Sequence, residues 1–290
     1  MKVDLHIHSK DCSDGRLPLT DIFDIASKRA VDLISITDHD AIECQGRAKA
    51  LAESHGIHYI TGVELNITFS HPGYREGKPI SLDLLGYGYH MDDKALLNKI
   101  QELRAHREKR AVRILENLNK ELMKEGLRPF DEKDLRAIEQ SADGALGRPH
   151  IARYMVQKGI VSDVQEAFDR YLVKCDVPKL PLSLEEASEL IRNAGGKAVL
   201  AHGNDPNGTS LRVLTRDIRE QLTIIKERML NFLDGLECWH ARHDKDTIKA
   251  YLSFARKHGL LVTGGSDCHQ NPVRIGTLDI PAYVAEQFQL

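Results

Sequence analysis

Five short apolar runs along this 290-residue chain each end in side chains able to bind a metal ion. Residues 3–8 read Val-Asp-Leu-His6-Ile-His8, and residues 33–40 read Leu-Ile-Ser-Ile-Thr-Asp38-His39-Asp40. Residues 59–64 close on Glu64, residues 198–202 on His202, and residues 261–269 on Asp267-Cys268-His269. Ser13-Asp14-Gly15 adds a carboxylate in a turn just after the first run. Alternate residues of a strand share a face, so His6 and His8 can reach one ion. Parallel α/β folds bind ligands beyond the carboxyl ends of their strands, which would gather these chain-distant groups at one edge. All the donors are nitrogen or oxygen, a set suited to Mn²⁺, Fe²⁺ or Zn²⁺ and not to a structural thiolate site. The chemistry this pattern predicts is hydrolysis at a multinuclear metal centre.

The elements that must position these groups follow from apolar spacing. Strand 2–7, helix 18–30, strand 32–37, helix 41–55 and strands 58–64 and 80–88 alternate in the way of βαβ units, which predicts a parallel sheet. Pro18 suits a first helical turn, and Asp21 and Asp24 suit its positive end. From 91 to 181 the spacing turns helical, through Leu96, Leu97, Ile100 and Leu103 and then Val112, Ile114, Leu115 and Leu118. Further helices are predicted near 131–139, 148–158 and 163–173, before Val177-Pro-Lys-Leu-Pro181 returns as an extended segment. Ser183-Leu-Glu-Glu186 reads as a capping box and Gly195-Gly196 as the end of that helix. Strand 197–201, a helix within 210–230, strand 234–239, helix 243–258 and strand 260–265 complete the chain. The predicted organisation is an α/β domain from 1–90 and 182–290, interrupted by an all-helical insertion at 91–181.

Bulk composition excludes several classes. With 41% hydrophobic and 29% charged residues the chain reads as an ordinary globular protein, and no apolar stretch approaches a membrane span. A net charge of −3 gives no general attraction to nucleic acid or acidic membranes. The local exception is the basic run from Arg104 through Arg107, Lys109 and Arg110 to Arg113, read as a solvated helix face or as a surface that draws phosphorylated substrate. Asp4, His6 and His8 break any signal-peptide core. The five cysteines are scattered without a CxxC pair, which disfavours a disulfide framework and points to a reducing cytoplasm.

Taken together, Asp4-Leu-His6-Ile-His8-Ser9, Ser13-Asp14-Gly15, Thr37-Asp38-His39-Asp40, Gly62-Val-Glu64, Ala201-His202 and Gly265-Ser-Asp267-Cys-His269 make the chain resemble the PHP (polymerase and histidinol phosphatase) family of metal-dependent phosphoesterases. The motifs run from the first strand to the last, so the resemblance covers almost the whole chain. It is similar above all to free-standing members with a helical insertion, among them nucleotide 3′,5′-bisphosphate phosphatases and a 5′→3′ exoribonuclease. The resemblance implies an α/β fold, a distorted (β/α)7 TIM-like barrel whose cleft the insertion caps. It implies that His6, His8, Glu64 and Asp267 hold one ion, and that Glu64 bridges to a second completed by Asp83 and His202. Asp14, His39 and His269 would hold a third, giving about two to three divalent ions (Mn, Fe or Zn). Relatives of this type often carry His where this chain has Asp83, and Pro where it has Gly203. Gly147-Arg148-Pro149-His150 matches an insertion motif that turns Arg148 and His150 toward substrate phosphate, and His243 matches another substrate position.

The expected activity is hydrolysis of a small phosphomonoester, a nucleotide of 3′,5′-bisphosphate type first, by water activated between ions and attacking phosphorus in line. Arg148 and His243 would stabilise the developing charge beside the metals, and His202 or a water would protonate the leaving group. Asp267 is expected to be indispensable. A 5′→3′ exoribonuclease on short RNA is the alternative, histidinol phosphate a third substrate, and a non-catalytic PHP-like binding module an alternative of another class. No membrane and no obligate protein partner are expected. Asp38 and Asp40 could orient imidazoles, though Asp40 equally suits a helix N-terminus. His240 and Arg242 lie near His243, and Trp239 reads as a packed rim aromatic rather than a base platform.

Overall fold

The computed structural model describes residues 1–141, 147–269 and 272–288. They fall into two compact units, Met1–Ile100 with Pro181–Leu290, and Gln101–Leu180. Helices α1 (Leu19–Lys28), α2 (Gln45–His55), α3 (Lys94–Lys124), α4 (Glu132–Ser141) and α5 (Arg148–Gln157) come first along the chain. They are followed by α6 (Val164–Ala167), α7 (Leu184–Asn193), α8 (Ile218–Ile224), α9 (Lys245–His258) and α10 (Tyr283–Glu286).

Eight strands of the first unit form two sheets. In one, β1 (Val3–Asp4), β2 (Leu33–Ile34) and β3 (His58–Tyr59) pair in parallel. In the other, β4 (Gly62–Phe69), β5 (Ile80–Tyr87), β6 (Lys197–Leu200), β7 (Gly235–His240) and β8 (Leu261–Gly265) lie side by side in chain order. The pairs β6–β7 and β7–β8 are parallel, but β4–β5 and β5–β6 are antiparallel, which corrects the expectation of a parallel sheet throughout. The reason is local: residues 70–79 hold one short helical turn at Arg75–Gly77, too little chain for the crossover that parallel strands need.

The fold is thus mixed α/β, and no closed barrel is found among the described residues. The two sheets touch through single bridges, Ile7 with Cys268 and His39 with Glu64, and through the Leu5 amide donating to the Gly264 carbonyl at 3.1 Å. Those are the places where the chain leaves regular pairing to present His and acidic side chains. A core of Ile7, Leu19, Ile22, Phe23, Ile34, Ile36, Ala48 and Ala52 packs α1 and α2 behind the first sheet and fixes those departures. Several helix ends are specified by sequence. Ser183 accepts from the Glu186 amide at the start of α7, Asp244 accepts from the Thr247 amide at the start of α9, and Gly259 ends α9 at a φ of 66°.

The second unit has its own core, in which Ile114, Leu115, Leu118 and Leu122 of α3 meet Ile138, Ile151, Met155, Tyr171 and Leu172. Val112, expected on the apolar face, is instead exposed. Arg110, expected on a solvated face, is buried, with its guanidinium bonded to Asp176 and to the Val177 carbonyl. No described helix is long and apolar enough to cross a membrane.

Candidate metal centre

The backbone is bent to place these side chains. Gly265 lies so close to the strand carrying His6 that a Cβ there would stand 2.2 Å from the His6 nitrogen, so only glycine fits. Gly15 is in the same position against the His8 carbonyl, again at 2.2 Å. His202 and Asp267, just past the ends of β6 and β8, hold positive φ values of 23° and 49°. Non-glycine residues rarely adopt that region, and backbone strain of this kind concentrates at functional sites. Here it is held by hydrogen bonds: the His202 amide donates to Glu237 Oε2 at 2.7 Å, and the Asp267 amide donates to the His6 carbonyl at 2.8 Å.

All nine residues expected as ligands come together. His8, Asp14, His39 and His269 form one group with donor atoms within 4.8 Å of one another; His6, His8 and Asp267 form a second. His6, Glu64 and His202 form a third, and His39, Glu64 and Asp83 a fourth. Glu64 divides its oxygens, Oε1 lying 2.9 Å from His202 Nε2 and Oε2 3.1–3.3 Å from nitrogens of His6, His8 and His39. Asp267 Oδ1 stands 3.2–3.4 Å from nitrogens of His6, His8 and His269. Glu64 Oε2 and Asp267 Oδ1 are both buried without a hydrogen-bond partner. A buried carboxylate oxygen left so is costly, and cations placed among the converging imidazoles would satisfy both. The residues present fit divalent metal ions.

The electrostatics agree. Burial holds the His39 imidazole down at about 4, in the neutral form a metal requires. Burial alone would lower His202 as well, but its bond to Glu64 outweighs that and holds it at about 9. His269 is likewise pushed up to about 11 against its burial, by its bonds to Asp14 and Asp267. Burial would raise Glu64 and Asp267, yet His6 and the neighbouring imidazoles keep both well below the usual carboxylate range. Closely set carboxylates thus collect protons on imidazoles when nothing else supplies positive charge.

A supporting shell surrounds the cluster, and much of it escaped sequence reasoning. Glu237, buried in the middle of β7, takes the His6 Nδ1 proton at 2.9 Å and so turns the His6 Nε2 lone pair into the cluster. Asp267 Oδ2 is held by His240 Nε2 at 3.1 Å and by the Arg242 guanidinium at 2.8 Å. Arg242 is itself gripped by buried Asp205, whose Oδ2 accepts from Nε at 2.7 Å. Asp83 accepts from Asn66 Nδ2 at 2.7 Å and from the Thr209 hydroxyl. Asp38 accepts from the Ser9 amide and hydroxyl, and Asp40 from the Asn66 amide.

The residues expected to touch substrate sit differently. Arg148 opens α5, pairs with Asp176 at 2.8 Å and lies over the Phe168 ring. His150 accepts from the Gly147 amide at 3.2 Å through Nδ1, so that nitrogen caps its own helix. His243 is turned inward, its Nδ1 3.0 Å from the Cys238 carbonyl and its ring edge-on to Tyr251; burial and His240 push it down to about 4. Trp239 packs edge-on to Tyr283. Cys12 and Cys44 form a disulfide, against the expectation of unpaired thiols, and join the loop after β1 to the start of α2.

Comparison with known proteins agrees with this geometry. The PHP domain profile matches residues 4–174. The chain belongs to the PHP family. This PHP protein is 29% identical, over 92% of its length and 87% of the other's, to a 3′,5′-nucleoside bisphosphate phosphatase of Chromobacterium violaceum. It is 32% identical, over 92% of its length and 90% of the other's, to a 5′-3′ exoribonuclease of Haemophilus influenzae. A solved metal-dependent phosphoesterase from Bifidobacterium adolescentis superposes with a TM-score of 0.78 at 27% identity, covering 98% of this chain and 94% of that one. This PHP protein is a metal-dependent phosphoesterase, a hydrolase of phosphate esters.

Proposed function

We propose that the protein hydrolyses a phosphomonoester of a small nucleotide, with a nucleoside 3′,5′-bisphosphate as the first substrate to try. The observation that carries the reading is the pair of orphaned oxygens, Glu64 Oε2 and Asp267 Oδ1, buried among the four imidazoles of His6, His8, His39 and His269. His6, His8, Glu64 and Asp267 would hold one divalent ion, Glu64, Asp83 and His202 a second, and Asp14, His39 and His269 a third. Mn²⁺, Fe²⁺ and Zn²⁺ all suit the donors. When bound, such ions supply Lewis acidity toward phosphoryl oxygens and acidify water. The chain's part is orientation. Glu237 fixes the His6 tautomer, Arg242 and His240 restrict Asp267 to one oxygen, and burial keeps bulk water from His6, His8 and Glu64. Because His202 would be a ligand of the second ion and so give up its proton, a water would protonate the leaving oxygen. The two sheets read as the walls of one distorted barrel, interrupted where the ligands enter.

Similarity to the bisphosphate phosphatase supports the substrate class, and similarity to the exoribonuclease keeps short RNA as the second substrate. The basic run on α3 favours RNA less than its sequence suggests, because Arg110 is committed to Asp176 and Arg104 pairs with Glu108 at 3.5 Å. The roles of Arg148 and His150 rest on their motif, and that of His243 on its sequence position. The cytoplasm is the compartment proposed, although the Cys12–Cys44 disulfide removes the support that unpaired thiols gave it. The test is phosphate release from adenosine 3′,5′-bisphosphate with added Mn²⁺, comparing the native protein with Asp267→Asn. Release by the native protein alone is expected. Equal release by both would remove Asp267 from the centre, and release by neither would turn the search to 5′-phosphorylated RNA.

A further inference from the structure

Arg242 is placed to do more than balance charge. Its Nε donates to Asp205 at 2.7 Å, and its Nη2 reaches Asp205 at 2.5 Å and Asp267 at 2.8 Å. Asp205 is buried and fixed in turn: its amide donates to the His202 carbonyl, and its Oδ1 accepts from the Asn207 amide. One edge of the guanidinium is therefore locked between two acids on separate loops, after β6 and after β8. The planar fork leaves Nη1, with its two N–H groups, at the opposite corner. Nη1 has no hydrogen bond to any described residue, and 37% of the side chain is exposed. The Asp267 carboxylate lies between the guanidinium and the cluster: Oδ2 faces Arg242 Nη2, and Oδ1 faces His6, His8 and His269.

We propose that Arg242, locked by Asp205 and laid against Asp267, contacts a non-bridging oxygen of the substrate phosphate through Nη1. The inference rests on the phosphomonoesterase reading above and adds a specific contact to it. A phosphate dianion would be drawn by the ions that Asp14, Glu64, Asp83 and Asp267 would hold, and a preorganised guanidinium at their edge adds directed, charge-assisted bonds. Lysine could not substitute, because one ammonium cannot hold Asp205 and Asp267 and still present a free donor pair. The Asp205 lock also means that little side-chain freedom is lost when phosphate arrives.

The test measures inorganic phosphate, as competitive inhibitor and by calorimetry, on protein at full Mn²⁺ occupancy verified by metal analysis. Native protein, Arg242→Ala, Arg242→Lys and Asp205→Asn are compared. The contact predicts phosphate affinity at least ~10-fold weaker in Arg242→Ala, worth about 1.4 kcal/mol. It predicts a matching rise in KM, little recovery in Arg242→Lys and a smaller loss in Asp205→Asn. Phosphate affinity within about twofold of native in Arg242→Ala at equal metal occupancy overturns the proposal, as does full recovery in Arg242→Lys. If the native protein binds phosphate yet hydrolyses no phosphomonoester, the functional reading fails. In that case Arg242 is still judged by binding alone.

Discussion

Replacing Glu237 by glutamine tests whether the shell around the cluster sets its metal affinity. The carboxylate accepts two hydrogen bonds on separate oxygens, from His6 Nδ1 at 2.9 Å and from the His202 amide at 2.7 Å. A glutamine of the same shape offers one acceptor and turns an NH₂ toward one of those two donors. A hydrogen bond to a charged group is worth about 1.5–3 kcal/mol, and disturbing a carboxylate behind a metal-bound histidine weakens affinity by about 10–100-fold, or about 1.4–2.7 kcal/mol. The two routes agree, so Glu237→Gln should bind Mn²⁺ about 10–100-fold more weakly while keeping its fold. The assay is metal content per chain after dialysis against graded chelator, with circular dichroism confirming that the protein is folded. Asp38→Asn is the comparison, since Asp38 accepts from Ser9, and its loss should be smaller. Native metal retention in Glu237→Gln would show that the His6 tautomer is set by something else and would refute the reasoning.

Three further outcomes follow from the same geometry. His202, held at about 9, and His269, at about 11, must each give up a proton before they can bind metal, so Mn²⁺ affinity should rise with pH through the range below about 9. Calorimetric titrations in buffers of different ionisation enthalpy count the released protons, and an affinity flat with pH contradicts this. Adding Mn²⁺ to metal-free protein should stabilise the fold by about 2.7 kcal/mol at a hundred times Kd, seen as a rise in Tm that Asp267→Asn largely loses. The Cys12–Cys44 bridge spans 32 residues of sequence and, on the chain-entropy account, adds about 3–4 kcal/mol. Denaturant titration of Cys12→Ala in the oxidised protein checks that figure, and equal midpoints would show the bridge absent in solution.

The candidate ligands other than Asp83 were legible because they stand in or just past short apolar runs, or in the turn after the first, where burial leaves few other uses for a His or a carboxylate. Asp83, inside β5, came only from the family resemblance. What escaped depends on contacts between distant segments. Glu237 lies inside Gly235-Leu-Glu237-Cys-Trp239, and a lone acid in a buried strand demands a partner, a signal that was there to be read. The pairing of Asp205 with Arg242, and of Cys12 with Cys44, has no local signature at all. His243 was read from its motif alone, and the packing of its ring on Tyr251 can be recognised only in three dimensions. The antiparallel turn at β4 and β5 was hidden by a ten-residue connection that reads like any other loop. The first two strands pair over only two residues each because the chain departs early to deliver His6, His8 and His39.

The left-handed backbone at His202 and Asp267 carries a consequence for the way this protein can change. Each such residue costs on the order of 1–3 kcal/mol that glycine, or in part asparagine, would not incur. The ion-free chain would therefore tend to gain stability from the very substitutions that end its chemistry. Selection for a hardier fold and selection for turnover pull in opposite directions at these two positions. A lineage released from the need to hydrolyse phosphate esters should lose its ligands here first and become more robust as it does so.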